Sequence, residues 1–221
     1  MYNNNKIVIF DWGGIVESHF PGEFNCFTAR KQILSKINPN LEELDLDTIC
    51  ENWYACRYDE NGINISTQND IKDVEKWFER LKMKFELNCS FEEFCNTYKE
   101  ISNKTVYYEN VAEYARSLKE RCKIGILSSL CKLDESRIDM HYHLNTFDYT
   151  WLSFKLDCDK PEEKIYMTVE DECGISPNNI LFIDDRFENI EAAQKRGWNT
   201  CHTTGQDFDK IKTYVDNFLN E

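Results

Sequence analysis

Short apolar runs, each followed at once by polar residues, are the most regular feature of this chain. The clearest are IVIF at 7–10, IGIL at 124–127 and ILFI at 180–183. Runs of this length and composition are typical of strands that are buried on both faces of a parallel sheet. TWLSF at about 150–154 and WNTCH at 198–202 are two further candidate strands.

Amphipathic segments with a helical period lie between the later runs. They cover about residues 110–121, 161–172 and 187–196, so helix and strand alternate through the C-terminal half. This alternation predicts an α/β fold built on a doubly wound parallel sheet.

The stretch from about residue 17 to 104 has a different pattern. Its apolar positions follow a helical period without a convincing buried strand, so we predict an insertion of several helices between the first and second strands. Ser90 followed by Glu93 has the spacing of a capping box, which predicts the start of the last of these helices. Four aromatic residues are predicted to form the core of the insertion: Trp53, Tyr54, Trp77 and Phe78.

The charge balance limits the classes of partner. The chain has 40 acidic and 26 basic residues, which gives a formal net charge of -14. Such a field repels nucleic-acid backbones and anionic membrane surfaces, so we expect neither as a partner. It would also repel a phosphorylated substrate, so phosphate chemistry here requires a local cation, either a metal ion or a lysine.

The cysteines and the hydropathy indicate the compartment. The ten cysteines include no CxxC pair of the zinc-ribbon type, and the chain begins without a charged-then-apolar leader. We therefore expect reduced thiols and a cytoplasmic protein. No apolar run approaches the roughly 20 residues that span a bilayer, so we expect a soluble protein.

Polar residues at the ends of the apolar runs are the candidates for chemistry, because ligands of an open parallel sheet bind beyond the carboxyl ends of its strands. A lysine joins them in DKPEE, directly before Pro161, a favoured first helical residue. The set is Asp11, Ser128, Ser129, Lys160, Asp184 and Asp185.

Three carboxylates at one sheet edge repel one another unless a cation lies among them, and a site of oxygen ligands favours magnesium. The serine hydroxyl and the lysine ammonium would then hold anionic oxygens. Such a set suits phosphoryl transfer, in which a carboxylate nucleophile forms an acyl phosphate that water later hydrolyses.

The order of these motifs resembles the haloacid dehalogenase superfamily, whose largest group is its phosphatases. That family has hhhhDxDx(T/V) after its first strand, Ser or Thr after the second, a lysine near a later helix, and an acidic pair or GDxxxD after a further strand. This chain has IVIFDWGGIV, IGILSS, DKPEEKIY and ILFIDDRFENIEAA in that order. The likeness covers essentially the whole chain. The phrases KPE-x-x-IY and DD-x-x-x-N most resemble bacterial phosphatases that act on sugar phosphates.

The resemblance implies a Rossmann-like core with a helical cap inserted after the first strand. Residues 1–16 and 105–221 would form the catalytic core, and residues 17–104 would form the cap. The implied activity is that of a phosphoric monoester hydrolase that requires Mg²⁺ and acts on a small phosphorylated metabolite, with a sugar phosphate as one candidate. We expect a monomer or a small homo-oligomer.

Roles in catalysis follow from the same resemblance. Asp11 would be the nucleophile. Ser128 would hydrogen-bond the transferring phosphoryl group, with Ser129 beside it. Lys160 would neutralise charge between Asp11 and that group.

The resemblance also implies a set of metal ligands. Magnesium would be held by Asp11, the main-chain carbonyl of Gly13 and Asp185. Asp184 would be a second or water-mediated ligand. Asn189 stands where many relatives have another acid, so it would contribute more weakly.

One position departs from the family pattern. Phosphatases of the family usually have a second aspartate two residues after the nucleophile, which acts as general acid and then base, whereas this chain has Gly13. The backbone carbonyl can still bind a metal, but the acid is missing. Loss of general acid catalysis typically lowers a rate by ~10² to 10⁴ and matters least for good leaving groups. This points toward anomeric sugar phosphates or acyl phosphates.

Each motif is a weak signal when it stands alone. DWGG can be a turn, two serines can cap a helix, KPEE is an ordinary helix start, and two aspartates can be solvated. The prediction depends on their coincidence at successive strand ends.

Further residues carry weaker signals. His19 and Phe20 follow the first motif and Arg57 lies in the insertion, so each is a candidate for a substrate contact. An exposed position is the simpler interpretation of Arg57. His141 and His143 form an HxH pair without an evident third ligand, which favours a surface role over a metal site.

Two alternatives to a phosphatase stay open. A 2-haloacid dehalogenase would use an aspartate nucleophile without a metal, but Asp184 and Asp185 argue against it, because their charge would repel an organic acid. A binding or regulatory protein that lost activity with the acid at position 13 would bind ligand and release no phosphate. The presence of Asp11, Lys160 and Asp185 argues against that reading.

Overall fold

The computed structural model describes residues 3–19, 24–62, 64–65, 70–135, 138 and 144–221. One parallel sheet contains five strands: β1 (Asn3–Phe10), β2 (Cys122–Ser128), β3 (Tyr149–Leu152), β4 (Ile180–Asp184) and β5 (Asn199–His202). Each strand overlaps one of the predicted runs. The predicted α/β fold with a doubly wound parallel sheet is therefore confirmed.

The strand order β3-β2-β1-β4-β5 places β1 in the centre of the sheet. Residues 7–10 pair with β2 on one side and with β4 on the other. Their side chains are fully buried, which explains why this run has no polar position.

Helices connect the strands and flank the sheet. Within the described residues the α-helices are α1 (Cys26–Ile37), α2 (Leu46–Ala55), α3 (Ile71–Lys84), α4 (Phe91–Ser102), α5 (Glu109–Ser117), α6 (Ser153–Leu156), α7 (Glu163–Cys173), α8 (Phe187–Lys195) and α9 (Phe208–Asn220). No helix in this part of the chain is long and apolar enough to cross a membrane.

The start of α7 differs from the prediction. The pattern at 161–172 places Pro161 at the first helical position, but Glu162 is the N-cap and the helix begins at Glu163. The reason is a turn before the helix, in which the Glu162 backbone N–H donates to the Asp159 carbonyl at 2.8 Å.

Alternate residues of the sheet point to opposite faces, and each face has its own hydrophobic core. Val8 and Phe10 pack in one core with α5 and α9. Ile7 and Ile9 pack in the other with α7. Because both faces are covered, the carboxyl ends of the strands are the part of the sheet that remains for a ligand.

Helices α1–α4 lie between β1 and β2 in the sequence, as predicted, and we call them with their connections the helical insertion. They have a separate hydrophobic core, in which Trp53 and Trp77 meet edge to face with ring centroids 5.3 Å apart. Ser90 and Glu93 form the predicted capping box at the start of α4. The domain boundaries at residues 17 and 104 stay a prediction.

The two segments that join the helical insertion to the sheet run side by side. Glu17 forms an isolated antiparallel bridge with Tyr107. The Ser18 backbone N–H donates to the Val106 carbonyl at 2.8 Å.

Candidate active site

Three adjacent strands bring the predicted residues together. β2, β1 and β4 are neighbours in the sheet, and Ser128, Asp11 and Asp184 stand at their carboxyl ends. The strand order reverses at β1, because β2 and β3 lie on one side of it and β4 and β5 on the other. Open α/β sheets bind ligands at such a reversal, beyond the carboxyl ends of the strands.

Asp11 has a buried carboxylate with one oxygen engaged and the other open. Oδ1 accepts hydrogen bonds from the Trp12 backbone N–H at 2.6 Å and the Ser128 hydroxyl at 2.9 Å, and Lys160 Nζ lies 2.9 Å away. No hydrogen bond from the described residues reaches Oδ2. Since Asp11 lines a cavity, Oδ2 has the free lone pairs that a nucleophile requires.

Lys160 is buried between two carboxylates. Its Nζ lies 2.9 Å from Asp11 Oδ1 and 2.7 Å from Asp184 Oδ2. Burial lowers the pKa of Lys160, but the attraction of Asp11 and Asp184 outweighs burial and raises the pKa above its usual value. The ammonium is therefore charged at neutral pH.

Asp184 is surrounded by donors. Besides Lys160, the Arg186 backbone N–H donates to Oδ1 at 2.8 Å, and the Asn189 amide donates to Oδ1 and Oδ2 at 3.1 and 3.0 Å. Burial raises the pKa of Asp184 above its usual value, against the attraction of Lys160. These contacts suit a residue that fixes Lys160, with Asn189 as its support. The role of Asp184 as a metal ligand stays a prediction.

Asp185 supplies the feature that fits a metal ion. Its Oδ1 is buried without a hydrogen-bond partner among the described residues, and its Oδ2 lies 3.5 Å from His19 Nδ1. Oxygens of Asp11, Asp184 and Asp185, which we call the acidic cluster, lie within 4.8 Å of one another. The partnerless Oδ1 of Asp185 within this group of carboxylates suits a hard divalent cation, which prefers oxygen ligands.

Comparison with known families settles the classification. A family model described as haloacid dehalogenase-like hydrolase matches residues 30–203. The chain belongs to this family. The matched region begins after Asp11 and contains Ser128, Lys160, Asp184 and Asp185.

Solved structures of haloacid dehalogenase-like enzymes share the fold. An enzyme of the family from Bacteroides thetaiotaomicron, solved in complex with magnesium and inorganic phosphate, is 19% identical, with a TM-score of 0.69 over 93% of this chain and 98% of that one. A hydrolase of the family from Porphyromonas gingivalis is 17% identical, with a TM-score of 0.70 over 98% of both chains. L-2-haloacid dehalogenase from Xanthobacter autotrophicus is 16% identical, with a TM-score of 0.62 over 89% of this chain and 76% of that one. At these identities the likeness shows the fold alone.

Curated relatives match over a short segment. Enolase-phosphatase E1 from Pectobacterium carotovorum is 31% identical over 55 residues, which are 25% of this chain and 24% of that protein. The match therefore spans about a quarter of the length of this relative.

His19 occupies the space that a side chain at position 13 requires. A Cβ on Gly13 would lie 2.8 Å from His19 Cε1 and 3.0 Å from its Nε2. The ring is held by Cys26, whose Sγ lies 3.3 Å from Nε2, and by Asp185. Burial lowers the pKa of His19, but Cys26 and Asp185 outweigh it, and the pKa is above its usual value. In this member of the haloacid dehalogenase-like family, the His19 imidazole therefore leaves no room for a side chain at position 13 unless the ring moves.

Gly14 allows the loop after β1 to approach Asp185. Its φ is +79°, and a Cβ there would lie 2.2 Å from Asp185 Oδ2. Both the conformation and the contact therefore require glycine. The sequence did not single out Gly14, although the pair of glycines after Asp11 was an available signal.

A cavity of about 480 Å³ extends from the acidic cluster to the helical insertion. Besides the residues described above, the candidates Ser129, His19 and Arg57 also line it. The remaining weak candidates lie outside the described residues: Phe20, His141 and His143.

Arg30 and Tyr54 also line the cavity. The prediction of Tyr54 as part of the insertion core is wrong, because its ring is half-buried and contacts the guanidinium groups of Arg30 and Arg57. Arg30 was missed, although it falls on the same stripe of α1 as the buried Ala29 and Ile33. A charged residue on a buried helical stripe was the signal that could have revealed it.

Proposed function

We propose that this chain is a magnesium-dependent phosphatase that hydrolyses a small phosphate ester through an aspartyl-phosphate at Asp11. The observation that carries the proposal is the acidic cluster itself. Asp11 lines the cavity and the contacts that the described residues make with its carboxylate are all to Oδ1, Lys160 lies against Oδ1, and Asp185 has a buried oxygen without a partner among the described residues. The magnesium and phosphate in the Bacteroides thetaiotaomicron structure support the proposal by analogy.

The metal site would be formed by groups on two loops. Asp11 and Asp185 would supply carboxylate oxygens, and Gly13 would supply its carbonyl. A bound Mg²⁺ would neutralise charge on the phosphoryl oxygens. Gly14 keeps Asp185 close to the loop after β1, because it lacks the side chain that would displace this carboxylate.

The first chemical step belongs to Asp11. Oδ2 would attack phosphorus and form the acyl phosphate, while the ester oxygen leaves with the electron pair of the broken P–O bond. Ser128 already donates to Asp11 and can turn its hydroxyl to a phosphoryl oxygen. Lys160 stays charged and offsets the negative charge that gathers beside Asp11.

The second step releases phosphate. Water attacks the phosphorus of the acyl phosphate and gives up a proton to solvent, and the Asp11 carboxylate leaves with the electron pair of the broken P–O bond, which restores the enzyme. Because position 13 has no acid to protonate the leaving oxygen, we propose that leaving groups with little need for a proton are preferred, such as the anomeric oxygen of a sugar 1-phosphate. Reduced thiols support a cytoplasmic setting, since all ten cysteines are free.

Magnesium removal tests the proposal. We expect chelation to lower phosphate release by at least about 10²-fold, because several kcal/mol of charge stabilisation are lost, and added Mg²⁺ to restore it. The assay would use sugar 1-phosphates, sugar 6-phosphates, glycerol phosphate and an aryl phosphate. Equal rates for glycerol phosphate and a sugar 1-phosphate would contradict the leaving-group preference.

The same assay separates the alternatives. Chloride release from L-2-chloropropionate that persists in chelator would favour a dehalogenase, a function for which the fold of the Xanthobacter autotrophicus enzyme is the supporting observation. If a folded protein that still binds magnesium releases no phosphate from any ester, a binding or regulatory function would be favoured.

Adding the missing acid is expected to fail. Gly13→Asp places a Cβ 2.8 Å from His19 Cε1, so the imidazole must move from its contact with Asp185. We expect kcat/KM to fall by roughly 10- to 100-fold, because small displacements at a reacting centre have effects of that order. Gly13→Ala, which adds the Cβ without the acid, should show a similar fall in kcat/KM. Adding His19→Ala to Gly13→Asp should recover part of the loss. A Gly13→Asp variant faster than the unmodified protein would contradict this expectation.

A further inference from the structure

Two arginines lie at the end of the cavity that the helical insertion forms. Arg30, on α1, and Arg57, just after α2, both line the cavity. Both guanidinium groups lie against the ring of Tyr54, at 4.6 and 5.0 Å from its centroid. The catalytic steps above use neither of them.

Arg30 is a buried cation that lies against sulfur atoms and aromatic rings. It is 8% exposed, and its guanidinium lies 4.9 Å from the Phe27 ring centroid. Its Nη1 and Nη2 lie 4.0 Å from the sulfur atoms of Cys50 and Cys26, respectively. Burial raises the pKa of the Cys50 thiol, which is therefore neutral at pH 7. Among the described residues, no carboxylate forms a salt bridge with Arg30.

Arg57 is in a similar position. Its Nε is buried and has no hydrogen-bond partner among the described residues. In the same part of the chain, no carboxylate forms a salt bridge with its guanidinium. Two cations therefore share one aromatic ring without a counter-ion from the described chain.

Such an arrangement is unfavourable unless an anion enters. A buried charge without a partner destabilises a protein, and two like charges beside each other add repulsion. The chain has 40 acidic residues against 26 basic ones, so a shortage of carboxylates does not explain it. Guanidinium groups bind carboxylate and phosphate oxygens through paired N–H donors, which makes an oxyanion the matching ligand.

Arg30 is connected to the acidic cluster through two intervening side chains. His19 Nδ1 is 3.5 Å from Asp185 Oδ2, and Cys26 Sγ is 3.3 Å from His19 Nε2. Arg30 is next in this series of contacts, and its Nη2 lies 4.0 Å from Cys26 Sγ. Lys160, not an arginine, is the cation beside Asp11.

We propose that Arg30 and Arg57 form a subsite for a second anionic group of the substrate, a carboxylate or a second phosphate on the part of the molecule that leaves. The inference rests on the proposed phosphatase function and narrows its substrate class. The substrate is then a phosphate ester of a small acid, such as a phosphorylated sugar acid or a bisphosphate, rather than an otherwise neutral sugar phosphate.

Matched esters test the subsite. Glucose 1-phosphate, glucuronic acid 1-phosphate and glucose 1,6-bisphosphate share the same anomeric leaving oxygen and differ in the charge at the far end. We expect kcat/KM to be at least about tenfold higher for one or both charged esters, since a hydrogen-bonded charge pair contributes on that order. The ester that is preferred shows whether carboxylate or phosphate is the natural ligand.

Arginine variants test the assignment. Arg57→Gln should reduce the preference for the charged ester by roughly 10- to 100-fold, mostly through KM, as expected for lost ground-state binding. Arg80→Gln, which removes an exposed charge from α3 of the same helical insertion, should leave the preference unchanged. Arg30 is more deeply buried, so Arg30→Lys with a thermal unfolding check is the second variant. It should weaken the preference as well, because an ammonium cannot form the paired contact.

The outcomes are separable from those of the catalytic proposal. Turnover of an aryl phosphate that requires Mg²⁺ and Asp11, without preference for either charged ester, overturns the subsite and leaves the phosphatase in place. A preference that survives both Arg57→Gln and Arg30→Lys also overturns it. If no ester is hydrolysed, calorimetric binding of glucuronic acid 1-phosphate to the unmodified protein and to Arg57→Gln decides. Equal affinity overturns the subsite, and at least about tenfold weaker binding to the variant supports it.

Discussion

Asp11→Asn is expected to lower kcat by at least about 10⁴-fold, because an amide cannot attack phosphorus as a carboxylate does. The change is nearly isosteric. The open Oδ2 is the atom that carries the reaction, whereas Oδ1 is engaged by Trp12 and Ser128. The fold should therefore be retained, and circular dichroism would check it.

A covalent trap gives this variant a second readout. Protein quenched during turnover of a radiolabelled ester should carry label that hydroxylamine removes, and Asp11→Asn should carry none. Asp171→Asn, at an exposed position on α7, is the matched control and should behave like the unmodified protein. Label on the Asp11→Asn variant would mean that another residue is the nucleophile.

Lys160→Met is expected to affect both activity and stability. Without the ammonium, Asp11 and Asp184 face each other as buried carboxylates, and removal of one partner of a buried ion pair typically lowers the free energy of unfolding by about 3–5 kcal/mol. We also expect kcat/KM to fall by roughly 10³-fold, a typical effect of removing a charge aimed at the transition state.

Urea unfolding and steady-state kinetics would measure these two effects. Lys164→Met, which removes an exposed charge from α7, is the matched control. A Lys160→Met variant as stable as this control would show that the charge of Lys160 is not required to balance the two carboxylates.

The sheet was predictable because its strands are buried on both faces. IVIF, IGIL and ILFI have no polar position, and each is a strand of the parallel sheet. The strand order could be anticipated only in part, but any order with these strands adjacent brings Asp11, Ser128 and Asp184 to one edge. The proposed catalytic set could therefore be brought together from the sequence alone.

Pairwise contacts between distant residues were not accessible. The Asp184 carboxylate accepts hydrogen bonds from Asn189 and Lys160. No spacing of residues in the sequence distinguishes a carboxylate with such partners from one that binds a metal. The position of His19 beside Gly13 depends on how the chain turns back after β1. A sequence shows that an acid is missing at position 13, but only the structure shows what fills the space.

The surface lining the cavity is divided between the two parts of the protein. Asp11 and Asp185 line it beyond the ends of β1 and β4, Lys160 lines it from the loop before α7, and the helical insertion contributes Arg30 and Arg57. A substrate with two anionic groups would connect the two parts of the protein, because Lys160 would bind one group and the arginines would bind the other. Cleavage of the ester bond would separate the two anionic groups, because the phosphoryl group would stay on Asp11 while the acid product would stay with the arginines. Breaking the ester bond would then remove the connection between the helical insertion and the sheet. Product release would therefore follow from the same event as catalysis.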